Sequence, residues 1–316
     1  MTASRSHTDG ASSMRGNPIS RSLRRKKEER AAWAFLAPDG IGLACIGVLP
    51  LIISFVFAFM SMNGFGKVSF AGLDNFERLF ADPKVPKSLL VTFGYAAMTV
   101  PLSFVTGLGL ALLFEKKFKG VNIARPFIFM PYVLSLVVVS LIWQLLLNDK
   151  TGLIPSALRP FGLSDVSWLG DPRFALFTVV LITVWSQAGY VMLLFLGGLG
   201  GIPQDYYDAA AIDGAGWWRT LVSITLPMLR PTSFFIILTS IMGCVAGVQA
   251  FDMIFILTSG GPANATLTMP FYVYEQAFTY NDLGYASALT LLLVLMLMVA
   301  VIASFASTRG GRFHED

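Results

Sequence analysis

The chain has 316 residues, of which 55% are hydrophobic and 13% charged, with 26 phenylalanines, a mean hydropathy of +0.66 and a net charge of +4. This composition excludes an ordinary soluble domain, because the apolar residues form blocks long enough to cross a bilayer. Cys45 and Cys244 lie in apolar runs and His7 and His314 are terminal, which leaves no pattern for a disulfide framework, a metal site or histidine catalysis.

The first 30 residues are rich in serine and carry a basic run from Arg21 to Arg30. Such a composition is typical of a disordered tail that its charge holds on the cytoplasmic side. The apolar run that follows is too long for a signal-peptide core and lacks a small-residue cleavage site, so we expect an uncleaved first span. The chain therefore divides into a tail (1–30), a transmembrane domain (31–308) and a second cytoplasmic tail (309–316).

Six apolar blocks predict an all-α polytopic membrane protein with six transmembrane helices. A bilayer core of about 30 Å needs roughly 20 helical residues to cross it. The predicted spans are residues 40–62, 88–114, 126–147, 173–200, 232–258 and 283–306. Prolines at positions 50, 101 and 131 lie within spans, either as kinks used in gating or as tolerated bends.

The lysine and arginine residues orient this layout. Of the 23, 16 fall in the two tails and in residues 115–125 and 202–231, which share one side of the membrane, whereas seven fall on the other side. Positive charge accumulates on the cytoplasmic side of membrane proteins. We therefore expect both termini and residues 202–231 to be cytoplasmic.

Residues 202–231 form a polar island between the fourth and fifth spans. Asp205 is a plausible N-cap for a short helix through the alanine-rich run Asp208–Ile212. Gly214 ends that helix, and Trp217–Leu226 forms a second short amphipathic segment. The pattern predicts two short helices around a glycine turn at the membrane surface, and an ordinary surface loop is the alternative.

The order of residues in the island resembles the E-A-A-x-x-D-G-A…I-x-L-P loop, the EAA motif, of membrane subunits in bacterial ABC importers. The matching residues are Asp208, Ala209, Ala210, Asp213, Gly214, Ala215, Ile224, Leu226, Pro227 and Pro231. The segment F-D-M-I-F-I-L-T-S-G-G-P at 251–262 resembles the carbohydrate branch, which includes maltose, trehalose and glycerol phosphate permeases. Asp208 stands where this family usually has Glu, and Leu221 where it usually has Phe.

In that family the loop is a cytoplasmic coupling helix between helices 4 and 5, which seats in a groove of a separate ATPase subunit. The resemblance implies that Asp208 and Asp213 face a basic partner and that the alanines allow close helix approach. It also implies that Gly214 provides a turn which a side chain would obstruct. Closure of the ATPase then pushes spans four and five as a rigid body.

No G-x-x-x-x-G-K-[ST] pattern occurs in the chain, so we expect ATP and Mg²⁺ to bind a partner and this chain to be non-catalytic and without a cofactor. The resemblance implies an importer in a bacterial cytoplasmic membrane. Its expected partners are a second, different permease subunit, two ATP-binding subunits and an extracytoplasmic solute-binding protein, with membrane lipid around the spans and no nucleic acid. The expected solute is an oligosaccharide, a polyol or a glycerophosphodiester.

An ion-gradient-driven secondary transporter is the alternative function. It requires charged relay residues deep within several spans, and only Asp252 comes close.

Polar and aromatic side chains within spans are candidates for the solute pathway, because a buried polar group in a bilayer is costly. Gln187, Gln249 and Asp252 offer amide and carboxylate groups, and Trp143 and Tyr190 offer rings for the apolar face of a sugar. The alternatives are an interfacial aromatic belt for Trp143, hydration for Asp252 and interhelical hydrogen bonds for Gln187 and Gln249.

Overall fold

The computed structural model describes residues 18–63, 67–115, 119–158, 160, 166–248 and 250–307. The chain separates into two compact units, residues 1–53 and residues 54–316. Within the described ranges the structure is helical apart from turns and one two-stranded sheet, which confirms a helical membrane protein.

The first unit is a helix that begins at Pro18. α1 (Pro18–Leu43) continues through a π-helical turn (Ala44–Val48) into α2 (Leu49–Phe57), whose last residues belong to the second unit. Its apolar part, Ala32–Phe57, is long enough to cross a bilayer. The prediction of a disordered tail is wrong for residues 18–30, where Arg, Lys, Glu and Ala favour extension of the helix. Residues 1–17 lie outside the described ranges.

The second unit begins with a β-hairpin and continues as helices. In chain order its elements are β1 (Met60–Asn63), β2 (Lys67–Phe70), α3 (Asp74–Ala81), α4 (Lys84–Glu115), α5 (Val121–Val133), α6 (Leu136–Leu146), α7 (Leu153–Leu158), α8 (Ala175–Gly200), α9 (Gln204–Ile212), α10 (Trp217–Thr220), α11 (Leu226–Met228), α12 (Arg230–Val245), α13 (Phe251–Leu257), α14 (Met269–Tyr274) and α15 (Leu283–Ser307). The strands pair antiparallel, with Met60 opposite Phe70. Two more π-helical turns, Leu221–Thr225 and Glu275–Thr279, follow α10 and α14.

Two of the predicted spans are not continuous helices. α5 and α6 meet at 95° across a break at residues 134–135, which divides the predicted span 126–147. The predicted span 232–258 is also wrong as one helix, since α12 ends at Val245 and the backbone turns through Gly247 (φ +79°) before α13. In the described part of the chain, four helices can cross a membrane by length and composition. The number rises to six if two bent pairs each count as one span: Val121–Val133 with Leu136–Leu146, and Trp217–Met228 with Arg230–Val245, which meet at 68°.

α8 is the central helix of the second unit and contacts α4, α5, α12 and α13. Its contact with α5 is close at Gly189, where an added Cβ would lie 2.3 Å from the carbonyl oxygen of Ile128. Small residues allow such approach between helices in lipid, where van der Waals packing replaces the hydrophobic effect. Near the C-terminal end of α8, Phe195 and Leu199 are buried in one cluster with Leu229. This cluster positions the chain between α8 and α12.

Candidate functional site

The polar island folds as two short helices around a glycine turn, as the sequence pattern predicts. α9 covers Gln204–Ile212 and α10 begins at Trp217. The expected N-cap at Asp205 is wrong, because the helix already begins at Gln204 and Asp205 lies within its first turn. There its carboxylate faces the positive end of the helix dipole.

The end of α9 is a Schellman motif, in which the last carbonyls of a helix accept hydrogen bonds from residues beyond it. The N–H of Ala215 donates to the carbonyl of Ala210 at 2.9 Å, and that of Gly214 donates to the carbonyl of Ala211 at 3.1 Å. Gly214 has φ +68°, a left-handed conformation, and an added Cβ would meet nothing within 4 Å. The turn therefore needs glycine for its backbone conformation and not for lack of space within the chain.

The loop exposes carboxylates on a small-residue surface. Asp208, Ala209 and Asp213 are exposed, and within the described part of the chain neither carboxylate forms an ion pair. Asp208 Oδ1 accepts a hydrogen bond from Gln204 Nε2 at 3.2 Å. Ala210 differs from the expectation: it is only 6% exposed and faces the interior of its own chain. A basic partner therefore has access to two unpaired carboxylates.

Exposed apolar side chains on the same loop were missed in the sequence analysis. Ile212, Trp217 and Trp218 are 86%, 62% and 68% exposed. The sequence signal for this surface was the presence of three large apolar residues in an otherwise polar segment. They extend the exposed surface beyond the two carboxylates.

A widened helical turn joins the loop to α12. The N–H of Leu226 donates to the carbonyl of Leu221, five residues back, directly before Pro227. Leu49 does the same before Pro50, where it donates to Ala44. Proline collides with the carbonyl four residues earlier and removes one hydrogen bond, and a π-helical turn accommodates both effects. Leu226 and Pro227 thus belong to a helical connection that leads into the membrane helix.

The loop is held on the cluster at the ends of α8 and α12. Leu221 is buried, and Tyr207 Oη lies 3.4 Å from Thr225 Oγ1, a hydrogen bond between α9 and the π-helical turn. Leu229 is fully buried against Phe195. Leu229, which precedes α12, is therefore buried with residues of both α8 and α12.

The predicted pathway residues fall in two groups. Gln187 is buried in α8, and no described residue forms a hydrogen bond with its side chain. One turn away, Tyr190 stacks on Tyr132 with ring centroids 4.5 Å apart and an interplanar angle of 8°. Tyr132 was missed in the sequence analysis because a stack between different helices has no sequence periodicity.

The second group lies where α6 packs on α13. Trp143 is half-buried and meets Trp185 edge to face at 5.4 Å, while Gln144 Nε2 donates to the carbonyl of Ile256 at 3.1 Å. Asp252 is half-buried in the first turn of α13, next to the break after α12. Gln249 lies outside the described residues. The two broken spans therefore contact each other beside the predicted pathway residues.

The described part of the chain contains no group of three His, Cys, Asp or Glu side chains able to hold a metal ion. Cys45 and Cys244 are both free thiols.

Comparison with known proteins places this geometry among transport proteins. Residues 100–309 match the family model described as "binding-protein-dependent transport system inner membrane component". The chain is 33% identical to the trehalose/maltose transport system permease protein MalF of Thermococcus litoralis, over 78% of this chain and 81% of that protein. It is 31% identical to the sulfoquinovosyl glycerol transport system permease protein SmoG of Agrobacterium fabrum, over 83% and 85%.

The fold is also similar to a solved structure. A chain of a bacterial ABC transporter involved in the import of the acidic polysaccharide alginate superposes with a TM-score of 0.79 at 21% identity, over 92% of this chain and 99% of that one. At this identity the likeness supports the fold alone.

Proposed function

The chain belongs to the family of binding-protein-dependent transport system inner membrane components, the permease subunits of ABC importers, and from this premise we propose that it carries a sugar or a related polar solute. The solute class follows the curated relatives, among which are trehalose/maltose and sulfoquinovosyl glycerol permeases. An oligosaccharide, a polyol or a glycerophosphodiester fits the amide, carboxylate and aromatic groups of the expected pathway. The ion-gradient alternative finds no support in the family assignment.

The observation that carries the coupling role is the capped loop between α8 and α12. Asp208 and Asp213 are exposed and free of ion pairs within the described chain, so they are free to bind basic side chains of an ATPase subunit. The Schellman turn at Gly214 keeps α9 in a fixed orientation. ATP-driven movement of the partner then shifts α9, and the buried cluster around Leu229 passes this shift to both membrane helices.

The proposed solute pathway includes the Tyr132–Tyr190 stack and the contact between α6 and α13. Gln187 is buried in α8, one turn from Tyr190, whose ring stacks on that of Tyr132, and its amide forms no hydrogen bond within the described chain. Such groups suit a polyhydroxy solute, which presents hydroxyls and an apolar ring face. Trp143 lies on α6 and Asp252 on α13, and these two helices pack on each other.

The proposed assembly contains two permease subunits that are different chains, two ATP-binding subunits and an extracytoplasmic solute-binding protein. ATP and Mg²⁺ bind the ATPase partners, and this chain is non-catalytic. The coupling loop and both termini face the cytoplasm, in keeping with the excess of basic residues on that side.

Uptake by the reconstituted transporter tests the proposal. We expect trehalose or maltose import into proteoliposomes to require ATP and the binding protein and to persist after ionophores collapse the ion gradients. Import that follows the gradient and ignores ATP would contradict it. An Asp208→Lys, Asp213→Lys double variant should insert normally but lose co-purification of the ATP-binding subunit, because it repels the expected basic groove.

A further inference from the structure

A cavity of about 550 Å³ lies at the end of α4 remote from the coupling loop. It is lined by the end of α3, the turn into α4, α14 and the π-helical turn that follows α14, with Arg78, Asp82, Lys84, Tyr272, Gln276 and Tyr280 among its residues. α4 has 32 residues and is therefore about 48 Å long at roughly 1.5 Å per residue. Its other end, at Phe114, is in the buried cluster with Leu229. The cavity is thus on the opposite membrane side from the coupling loop.

Gln276 contributes a side-chain amide to the lining of this cavity. The residue is only 5% exposed and lines the cavity, yet its side chain forms no hydrogen bond with any residue in the described ranges. An amide can donate two hydrogen bonds and accept two, so this one is available to a ligand in the cavity. A ligand that carries hydroxyl groups satisfies both functions of the amide.

The charges around the cavity are already paired within the chain. Arg78 forms an ion pair with Asp282 at 2.5 Å, and Lys84 Nζ lies 3.7 Å from Glu275 Oε2. A charged ligand has to compete with these contacts, whereas a neutral polar ligand does not. The cavity therefore favours a neutral ligand with many hydroxyls over an anion, a cation or a charged peptide side chain.

Asp82 is paired as well, with hydroxyl groups. Its carboxylate accepts hydrogen bonds from the hydroxyls of Tyr272 and Tyr285, the latter at 2.7 Å, and from the N–H of Lys84 at 2.8 Å. Burial raises the pKa of this carboxyl, but the hydrogen bonds from the two tyrosine hydroxyls and the Lys84 N–H, together with the charge of Lys84, leave the pKa below its ordinary value. Asp82 therefore remains ionised at neutral pH and fixes the wall of the cavity.

An exposed aromatic ring completes the wall. Tyr280 is 56% exposed, and Lys84 Nζ lies 5.9 Å from its ring centroid. Tyrosine rings pack against the apolar C–H face of a sugar while amides and carboxylates bind its hydroxyls. The cavity volume falls within the range of about 300–1,000 Å³ typical of small-molecule sites.

We propose that this cavity is a saccharide-binding site at the outer surface of the permease, separate from the pathway residues of α6, α8 and α13. The choice of a saccharide rests on the proposed function as a sugar importer. Gln276 binds ligand hydroxyls through its amide, and Tyr280 stacks on the sugar ring. The site holds solute at the outer surface before it enters the membrane pathway.

Ligand-observed saturation-transfer NMR on the assembled transporter in nanodiscs, without the binding protein, tests this site. The probes are glucose, maltose and trehalose at millimolar concentration. We expect saturation transfer to at least one of them, with an apparent affinity at least tenfold weaker in Gln276→Leu and Tyr280→Ala and little changed in Tyr280→Phe, which keeps the ring. Phe278→Ala is the matched control, because Phe278 is 67% exposed on the same segment but does not line the cavity.

Three outcomes overturn the inference. No saturation transfer from any probe, or transfer unchanged in both Gln276→Leu and Tyr280→Ala, shows that the cavity does not hold sugar. Variants that weaken capture of the solute-binding protein and leave sugar contact unchanged identify the cavity as a protein contact. ATP-dependent uptake, measured on the same preparations with the binding protein, separates these results from failure of the proposed function, since normal uptake without saturation transfer overturns the site alone.

Discussion

Replacing Gly214 by valine should uncouple transport from ATP hydrolysis without preventing membrane insertion. The residue has φ +68°, and a left-handed conformation costs an ordinary L-residue roughly 1–2 kcal/mol, more if it is β-branched. A loss of this size reduces the ratio of capped to uncapped loops by about 5- to 30-fold. Because an added Cβ meets nothing within 4 Å, no steric clash within the chain adds to this cost.

The assay compares ATP-dependent trehalose or maltose uptake, binding-protein-stimulated ATP hydrolysis and co-purification of the ATP-binding subunit. Gly214→Asn should retain most activity, since asparagine tolerates the left-handed region. The matched control is Gly216→Val: Gly216 has φ −69° and ψ 162°, which any residue adopts, and its added Cβ also meets nothing. Wild-type uptake in Gly214→Val refutes the turn argument, and equal losses in Gly214→Asn and Gly214→Val show that side-chain size at the partner surface matters instead.

Three further predictions concern the rest of the fold. Asp82→Asn should lower the free energy of unfolding by about 1–2 kcal/mol, allowing for solvent screening of a partly exposed carboxylate, because it loses charge-assisted hydrogen bonds. Since the folded-state pKa of Asp82 is lowered, the stability difference between wild type and Asp82→Asn should be constant between about pH 5 and 8 and shrink as pH falls below about 4. Thermal unfolding of both proteins as a function of pH measures this difference. A difference that grows on acidification contradicts the lowered pKa. Gly189→Ala should lower the free energy of unfolding by about 1–3 kcal/mol, because the added methyl group overpacks against the backbone of α5. Gly197→Ala in the same helix, where an added Cβ meets nothing within 4 Å, should be neutral or stabilising. Equal melting temperatures of the two variants would show that α5 moves aside freely. In a background without native cysteines, Ile212→Cys should react with an impermeant thiol reagent only from the cytoplasmic side and Tyr280→Cys only from outside, and labelling of both from one side contradicts the proposed orientation.

The broken spans show where hydropathy stops being informative. Residues 126–147 and 232–258 are predominantly apolar, so a count of apolar residues predicts a continuous helix for each. The break at residues 134–135 and the end of α12 at Val245 allow α6 and α13 to pack on each other, which is a tertiary contact. Apolar composition is the same on both sides of a bend and therefore carries no signal for it.

The sequence alone determined the features that depend on neighbouring residues. The helical class, the island between two spans and its helix–glycine–helix pattern follow from local hydropathy, alanine-rich helix propensity and the need for glycine at Gly214. Its order of residues also led to the family. These are local properties of the chain, and each can be read within a window of about 30 residues.

Only the tertiary structure decided which distant residues meet. Tyr132 stacks on Tyr190 across two helices, and Arg78 pairs with Asp282 across 204 positions of sequence. The inward position of Ala210 likewise depends on the helices around it. Contacts between residues so far apart depend on the packing of whole helices, and no periodicity within a single segment reports them.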